Sequence, residues 1–219
     1  MISKHTLIEL EENIYIVDKP SDVSSNFFLQ KIKREYGFTK IGHAGTLDPF
    51  ATGILLIGVN KGTKKLASYV GYDKRYTVRV CIGVSTDTGD RTGEVQKEET
   101  LTRSVQEELK KTLPRVLSSL VGEHNLPVPS FSAKKISGKK LYELARRGKE
   151  VPTLYHTAKV YEIVFLGVTE TETSLYLDFE CAVGSGTYIR SLSTFIGEKI
   201  DLPTHVVELR RTQVGHFSL

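Results

Sequence analysis

The chain is poor in the residues that build metal centres and disulfide frameworks. Its two cysteines, Cys81 and Cys181, lie a hundred residues apart with no paired-Cys motif. That spacing argues against a disulfide scaffold or a zinc ribbon and makes a reducing cytoplasm the expected compartment. The six histidines are scattered and none has metal-ligand spacing, so no metal is expected. Long apolar runs are missing too. The longest, "ILLIGV", is far too short to span a bilayer, so no membrane association is expected. The N-terminus, "MISKHTLIELEEN", lacks the basic-then-apolar layout of a signal peptide. Internal repeats, low-complexity tracts and clear linkers are absent as well.

What is present fits a globular chain. The 219 residues are 39% apolar and 26% charged, enough for one large domain or a domain with a small insertion. Net charge is only +4, but it is unevenly spread. Acids crowd 94–108, and "KKISGKKLYELARRGK" at 134–149 holds seven Lys or Arg against one Glu. Such a segment is either a solvated helix face, the commoner case, or a phosphate-contacting surface, and charge alone does not decide.

The apolar pattern predicts a mixture of elements. "NIYIVDKP" and "GILLIGV" read as strands. Between them, Ser24 or Ser25 caps an amphipathic helix that runs through Tyr36 and stops at Gly37. Residues 63–70 read as a short basic helix, and "KRYTVRVCIG" alternates as a half-covered strand. "TDTGDRTGEV" is turn-rich, and 102–120 reads as a helix interrupted near Pro114. The Pro-rich "GEHNLPVPSFS" reads as a surface loop and 139–147 as a helix ending at Gly148. Two alternating strands follow, then a Gly loop opening a helix with Thr187 as its cap, then strand-like "HVVELRRTQVGHF". Strands and helices do not alternate regularly, so the fold class is α+β, not a doubly wound sheet.

Five polar positions interrupt these patterns. Asp48 precedes Pro49, where an Asp is ordinarily a turn former and a catalytic carboxylate is the sharper alternative. Tyr76 sits on the apolar face of its strand, as a core tyrosine or as a stacking surface. Arg190 falls in the first turn of a helix, where a cation opposes the helix dipole unless a carboxylate receives it. Asp90 is either that carboxylate or another turn residue. His43, in "GHAG", is a loop histidine or a functional one. Together they permit a cofactor-free site: a carboxylate kept ionised by an arginine, a second carboxylate orienting that arginine, and a tyrosine to stack and handle a proton.

"GHAGTLDPFATGIL" resembles the signature of the TruB family of tRNA pseudouridine synthases, whose catalytic residue is the Asp of "LDP". Other blocks follow in family order. "DKP…S" at 18–25 is similar to the first motif, and "DKRYTVRVCIGVSTDTGD" at 73–90 to the second block. "PSFSAKKISGKKLYELARRGKEV" resembles the family's RNA-binding thumb, "GTYIRSL" the motif carrying the arginine, and "LRR" at 209–211 a final strand.

The resemblance implies a pseudouridine synthase fold, with a mixed, largely antiparallel central sheet flanked by helices and loops. It implies one catalytic domain over 1–219, with a thumb insertion at 124–152. The activity it implies is isomerisation of the uridine at position 55 in the T-arm loop of tRNA, after base flipping and without a cofactor. It makes Asp48 the catalytic aspartate, with Tyr76 stacking on the base and handling a proton. Arg190 would pair with Asp48, and Asp90 with Arg190. Tyr188 and Leu209 would line the uracil pocket, His43 would contact RNA around the flipped nucleotide, and Lys19 with Pro20 would support the pocket. Lys134, Lys139, Lys140 and Arg146 would contact RNA phosphates. A monomer needing no protein partner is expected.

Two departures are visible. The first motif usually has Gly where this chain has Asp22, so the turn at 21–23 is expected to differ locally. Bacterial members generally continue into a PUA-like C-terminal domain, and this chain is expected to lack one, since it stops at Leu219.

Overall fold

In the computed structural model, residues 5–132, 134–136, 138–145 and 152–219 are described. In chain order the elements begin with β1 (Ile8–Glu11), β2 (Ile14–Lys19), α1 (Ser25–Tyr36), β3 (Ile41–His43) and β4 (Thr52–Val59). A 3-10 turn at Asn60–Lys64 leads to α2 (Ala67–Val70), β5 (Lys74–Ile82), β6 (Val84–Thr86), β7 (Val95–Glu98) and α3 (Arg103–Ser118). Then come β8 (Gly122–Pro127), β9 (Lys135–Ile136), β10 (Lys139–Lys140), α4 (Leu141–Ala145), β11 (Tyr155–Glu170) and β12 (Leu175–Val183). The chain closes with α5 (Ile189–Ile200), β13 (Thr204–Val214) and β14 (Phe217–Ser218). This is an α+β fold. Contacts divide it into two units: Met1–Thr77 with Leu209–Leu219, and Val78–Glu208.

In the first unit the strand order is β1-β2-β4-β13, with β3 on β4 and β14 on β13. The β1–β2, β2–β4 and β3–β4 pairs are antiparallel, whereas β13 runs parallel to β4, Arg211 opposite Gly53. β4 is buried on both faces, which is why it reads as an unbroken apolar run and not as an alternation. Ile54 and Leu56 pack with Ile14, Ile16, Leu66 and Tyr69 on one side. Leu55, Ile57 and Val59 pack with Phe28, Leu29 and Ile32 of α1 on the other. The α1 limits follow the sequence expectation. Ser24 accepts the Phe27 amide at 3.2 Å, and Gly37 ends the helix at φ +70°.

In the second unit, β12, β11 and β8 form an antiparallel meander, with α3 packed on β11 and α5 on β8. The alternation expected of β5 is present, with Tyr76, Val78, Val80 and Ile82 all buried.

Several expectations need correction. The Pro-rich stretch after Val121 is not all loop: Gly122–Pro127 is β8, paired residue for residue with Tyr155 to Val160. A waiting strand outweighed the turn-like composition, and Pro127 stands at the strand's end, where a missing donor matters least. Helix α3 is continuous through Pro114. A proline deletes one helix hydrogen bond, but Leu109, Leu113 and Leu117 lie on one buried face that carries the helix past it. Residues 63–70 split into the 3-10 turn and α2. Within 139–147, Lys139–Lys140 is strand and Leu141–Ala145 helix, while Arg146 and Arg147 lie outside the described residues. The cap position of α5 is Tyr188, so Thr187 stands one residue too early, and its buried hydroxyl makes no hydrogen bond among the described residues.

Candidate active site

The first unit builds the surroundings of Asp48. The chain leaves β3 at His43, and the Ala44 amide still bonds Leu56 O at 2.9 Å. The loop then returns to β4 through Asp48-Pro49, where Ala51 N closes a turn on Asp48 O at 3.1 Å. Asp48 itself is half-buried.

Side chains from three other segments grip this loop by its main chain. Lys19, at the end of β2, is wholly buried, and its ammonium donates to Pro20 O (2.8 Å), Val23 O (2.8 Å) and Pro49 O (3.1 Å). Ser21 Oγ donates to Phe50 O at 2.8 Å. Ser25 Oγ accepts from Leu47 N at 3.0 Å and donates to Leu47 O at 2.8 Å. From β13, Arg211 donates through Nε to Ile54 O (2.7 Å) and through Nη2 to Gly45 O (3.1 Å), with Thr46 O 3.5 Å from Nη1. The turn feeding this grip passes through Asp22 at φ +62°, a left-handed conformation that glycine adopts freely and Asp tolerates. The departure from the family's usual Gly thus falls on a residue whose backbone suits either.

The electrostatics follow from burial. Lys19 is lowered to about 8, first by desolvation, with Arg211 adding repulsion and Asp22 and Asp48 opposing the shift. Lys74, which donates to Val70 O at 2.9 Å and to Tyr72 O, is likewise lowered to about 8 by desolvation and Arg211. Burial and Arg211 also keep His43 below its ordinary value, and its Nδ1 has no hydrogen-bond partner among the described residues. Tyr76 (8% exposed) and Leu209 are buried in the same unit.

The second unit holds Arg190, Asp90 and Tyr188. Arg190 (3% exposed) lies in the first turn of α5. Its Nη1 donates to Thr88 O at 2.8 Å, its Nη2 to Phe131 O at 3.1 Å, and Asp90 Oδ2 is 3.7 Å from Nη1. This carboxylate offsets the unfavourable position of a cation at a helix start. Asp90 is fixed in turn: its Oδ1 accepts from Thr88 Oγ1 (2.9 Å), Thr92 N (2.9 Å) and Thr92 Oγ1 (2.6 Å). Tyr188 is half-buried at the cap position of α5. In the thumb-like stretch, Lys134 is exposed, Lys139 and Lys140 form β10, and Arg146 is outside the described residues.

Reading the residues in order missed Ser21, Ser25 and Arg211 as loop-holding groups. All three lie inside quoted motifs, but partners up to 166 residues away leave no local signal. Among the described residues no three His, Cys, Asp or Glu side chains gather as a metal ion would need, and no helix is long and apolar enough to cross a membrane.

Compared with known proteins, residues 33–189 match the model of the TruB family pseudouridylate synthase (N terminal domain). The chain belongs to the TruB family. Relatives of this TruB-family chain include a tRNA pseudouridine synthase B of Shewanella amazonensis, 41% identical over 94% of this chain and 62% of the relative. Another, from Malacoplasma penetrans, is 35% identical over 99% of this chain and 90% of the relative. The chain thus spans about 62% of the first relative's length but most of the second's. Among solved structures, a chain of the crystal structure of a Cbf5-Nop10-Gar1 complex superposes with a TM-score of 0.64 at 27% identity, covering 92% of this chain and 48% of that one. The TruB-family chain therefore has the pseudouridine synthase fold.

Proposed function

We propose that this TruB-family chain is a tRNA pseudouridine synthase that isomerises the uridine at position 55 of the T-arm loop, as the names of its relatives suggest. The observation that carries the reading is the loop around Asp48. A half-buried carboxylate stands on a main chain held by Lys19, Ser21, Ser25 and Arg211, the rigid presentation that chemistry on a flipped base requires.

The reaction breaks the N1–C1′ glycosidic bond, turns the uracil and rejoins it through C5, with no change of redox state. Flipping costs a few kcal/mol of unstacking. Stacking on Tyr76 returns about 1–3 kcal/mol. Asp48 acts on the sugar or on the base: attack at C1′, attack at C6 of uracil, or support of a glycal route in which a base removes the C2′ proton. We favour the glycal route, which predicts an isotope effect from 2′-deuterated uridine. Arg190, already oriented by Asp90, is the group assigned to pair with Asp48. Tyr188 and Leu209 are assigned to the uracil pocket and His43 to the RNA around it. Lys134, Lys139, Lys140 and Arg146 are assigned to phosphates of a splayed loop read by shape. On this reading the chain acts as a cytoplasmic monomer.

The test is pseudouridine formation by the purified chain on an unmodified T-arm stem-loop. Wild type should turn over. Asp48→Asn should bind the stem-loop about as well and produce nothing above background. A chain that is silent on the isolated stem-loop but active beside partner proteins would favour action within a protein complex instead, the setting named for the Cbf5-Nop10-Gar1 structure.

A further inference from the structure

One buried side chain beside the Asp48 loop has no task in the scheme above. Arg211 is 1% exposed. A guanidinium so far from water is costly unless its donors are matched. Its acceptors here are main-chain carbonyls on both sides of the Asp48 loop: Gly45 O and Thr46 O before Asp48, and Ile54 O in β4 after it. Lys19 and Ser25 grip the middle of the loop, at Pro49 O and at both polar atoms of the Leu47 backbone. Arg211 joins the two sides. The strand beneath is locked to the same residue. Gly53, opposite Arg211 in the parallel pairing, has φ +101°, and a Cβ there would lie 2.2 Å from Arg211 O. On the other side, a Cβ at Gly45 would make ordinary contact with Arg211 Nη1 at 3.6 Å, so the guanidinium lies beside the start of the loop.

We propose that Arg211 is a positioning residue for the isomerisation: its planar fork holds the start of the Asp48 loop and the strand β4 that follows it in one frame and thereby sets where the Asp48 carboxylate stands. The inference rests on the synthase reading above, with Asp48 as the catalytic residue. A lysine does not replace the fork, because an ammonium is a point donor that cannot span carbonyls on both sides of the loop. Arg211 is buried, so its loss is expected to act on the rate and not on binding. A displacement of about 1 Å at a reacting group costs on the order of 100-fold in rate.

The experiment compares wild type, Arg211→Lys and Arg211→Gln on the T-arm stem-loop. It reads the single-turnover rate, the Kd for the RNA, and a thermal melt that fixes the folded fraction at the assay temperature. Both variants are expected to be folded, to bind within about twofold of wild type, and to react on the order of 100-fold more slowly. A second reading tests the route of the effect. In an Asp48→Glu background the carboxylate is already displaced, so adding Arg211→Lys should cost less than about threefold more, because two changes acting through one group are not additive. The proposal is overturned if rate and affinity fall together or if the loss only tracks the unfolded fraction. Full additivity with Asp48→Glu also overturns it, as does failure of both variants to fold, which would make Arg211 a folding residue. A wild type that forms no pseudouridine overturns the activity itself. An active wild type with an unimpaired Arg211→Lys overturns only the role of Arg211.

Discussion

The loop around Asp48 is held from outside by Lys19, Ser21, Ser25 and Arg211, whereas the turn around Asp90 is largely held by its own residues. At Asp48 the bonds reach across 22 to 166 residues of sequence. At Asp90 the hydroxyls of Thr88 and Thr92 and the Thr92 amide serve a carboxylate two residues away, Thr86 Oγ1 donates to the Asp90 carbonyl at 2.7 Å, and one bridge runs to Val206. The first arrangement exists only when its unit is folded. The second is mostly a local motif. A carboxylate that must meet a reacting atom gains from the first, because its frame is fixed by the fold and not by a turn that can fray.

Breaking the outer grip should have the largest effect. Lys19→Met removes this donor from the carbonyls of Pro20 and Val23, while Pro49 O keeps the Val23 amide at 3.2 Å, and should cost roughly 2 kcal/mol or more in urea unfolding, at 1–3 kcal/mol per buried unpaired group. The pH dependence sharpens this. Lys19 is about 8 when folded against its ordinary 10.5, so between those values the unfolded chain holds the extra proton. Its contribution therefore rises with pH across that window, and the stability gap between wild type and Lys19→Met should widen by about 2 kcal/mol from pH 7.5 to pH 10. A gap that narrows would mean that the ammonium is not the strained form.

Loosening the self-held turn should matter less. Thr92→Val removes one hydroxyl from Asp90 and leaves the Thr92 amide bond, so about 1 kcal/mol of stability is expected to go, read by thermal melt. A loss as large as that of Lys19→Met would erase the contrast between the two carboxylates. Smallest of all should be Arg210→Ala. Its fork meets Asp18 at 3.0 and 2.7 Å, but on exposed surface, so a change within 1 kcal/mol that shrinks further in high salt is expected.

The same contrast separates what could be read from the sequence from what could not. Ser24, the Phe28–Ile32 spacing and Gly37 announce α1 within a dozen residues, and β5 announces itself by alternation, because both signals are local. The self-held turn was equally visible in "TDTGDRTGEV". β8 and the passage of α3 through Pro114 were not visible, since each is decided by a partner surface: β11 for the strand, a buried leucine stripe for the helix. The site divides in the same way. The motifs named Asp48, Tyr76, Arg190 and Asp90, but nothing local marks Arg211 as the residue that reaches Gly45.

The bond pair between Ser25 and Leu47 has a practical consequence. One hydroxyl satisfies both polar atoms of the Leu47 backbone, so the amide of the residue just before Asp48 opens to solvent only when Ser25, the first residue of α1, moves away. Exchange of that single amide with deuterium is therefore a gauge of how often the start of α1 lets go, readable in the resting protein before any RNA is added.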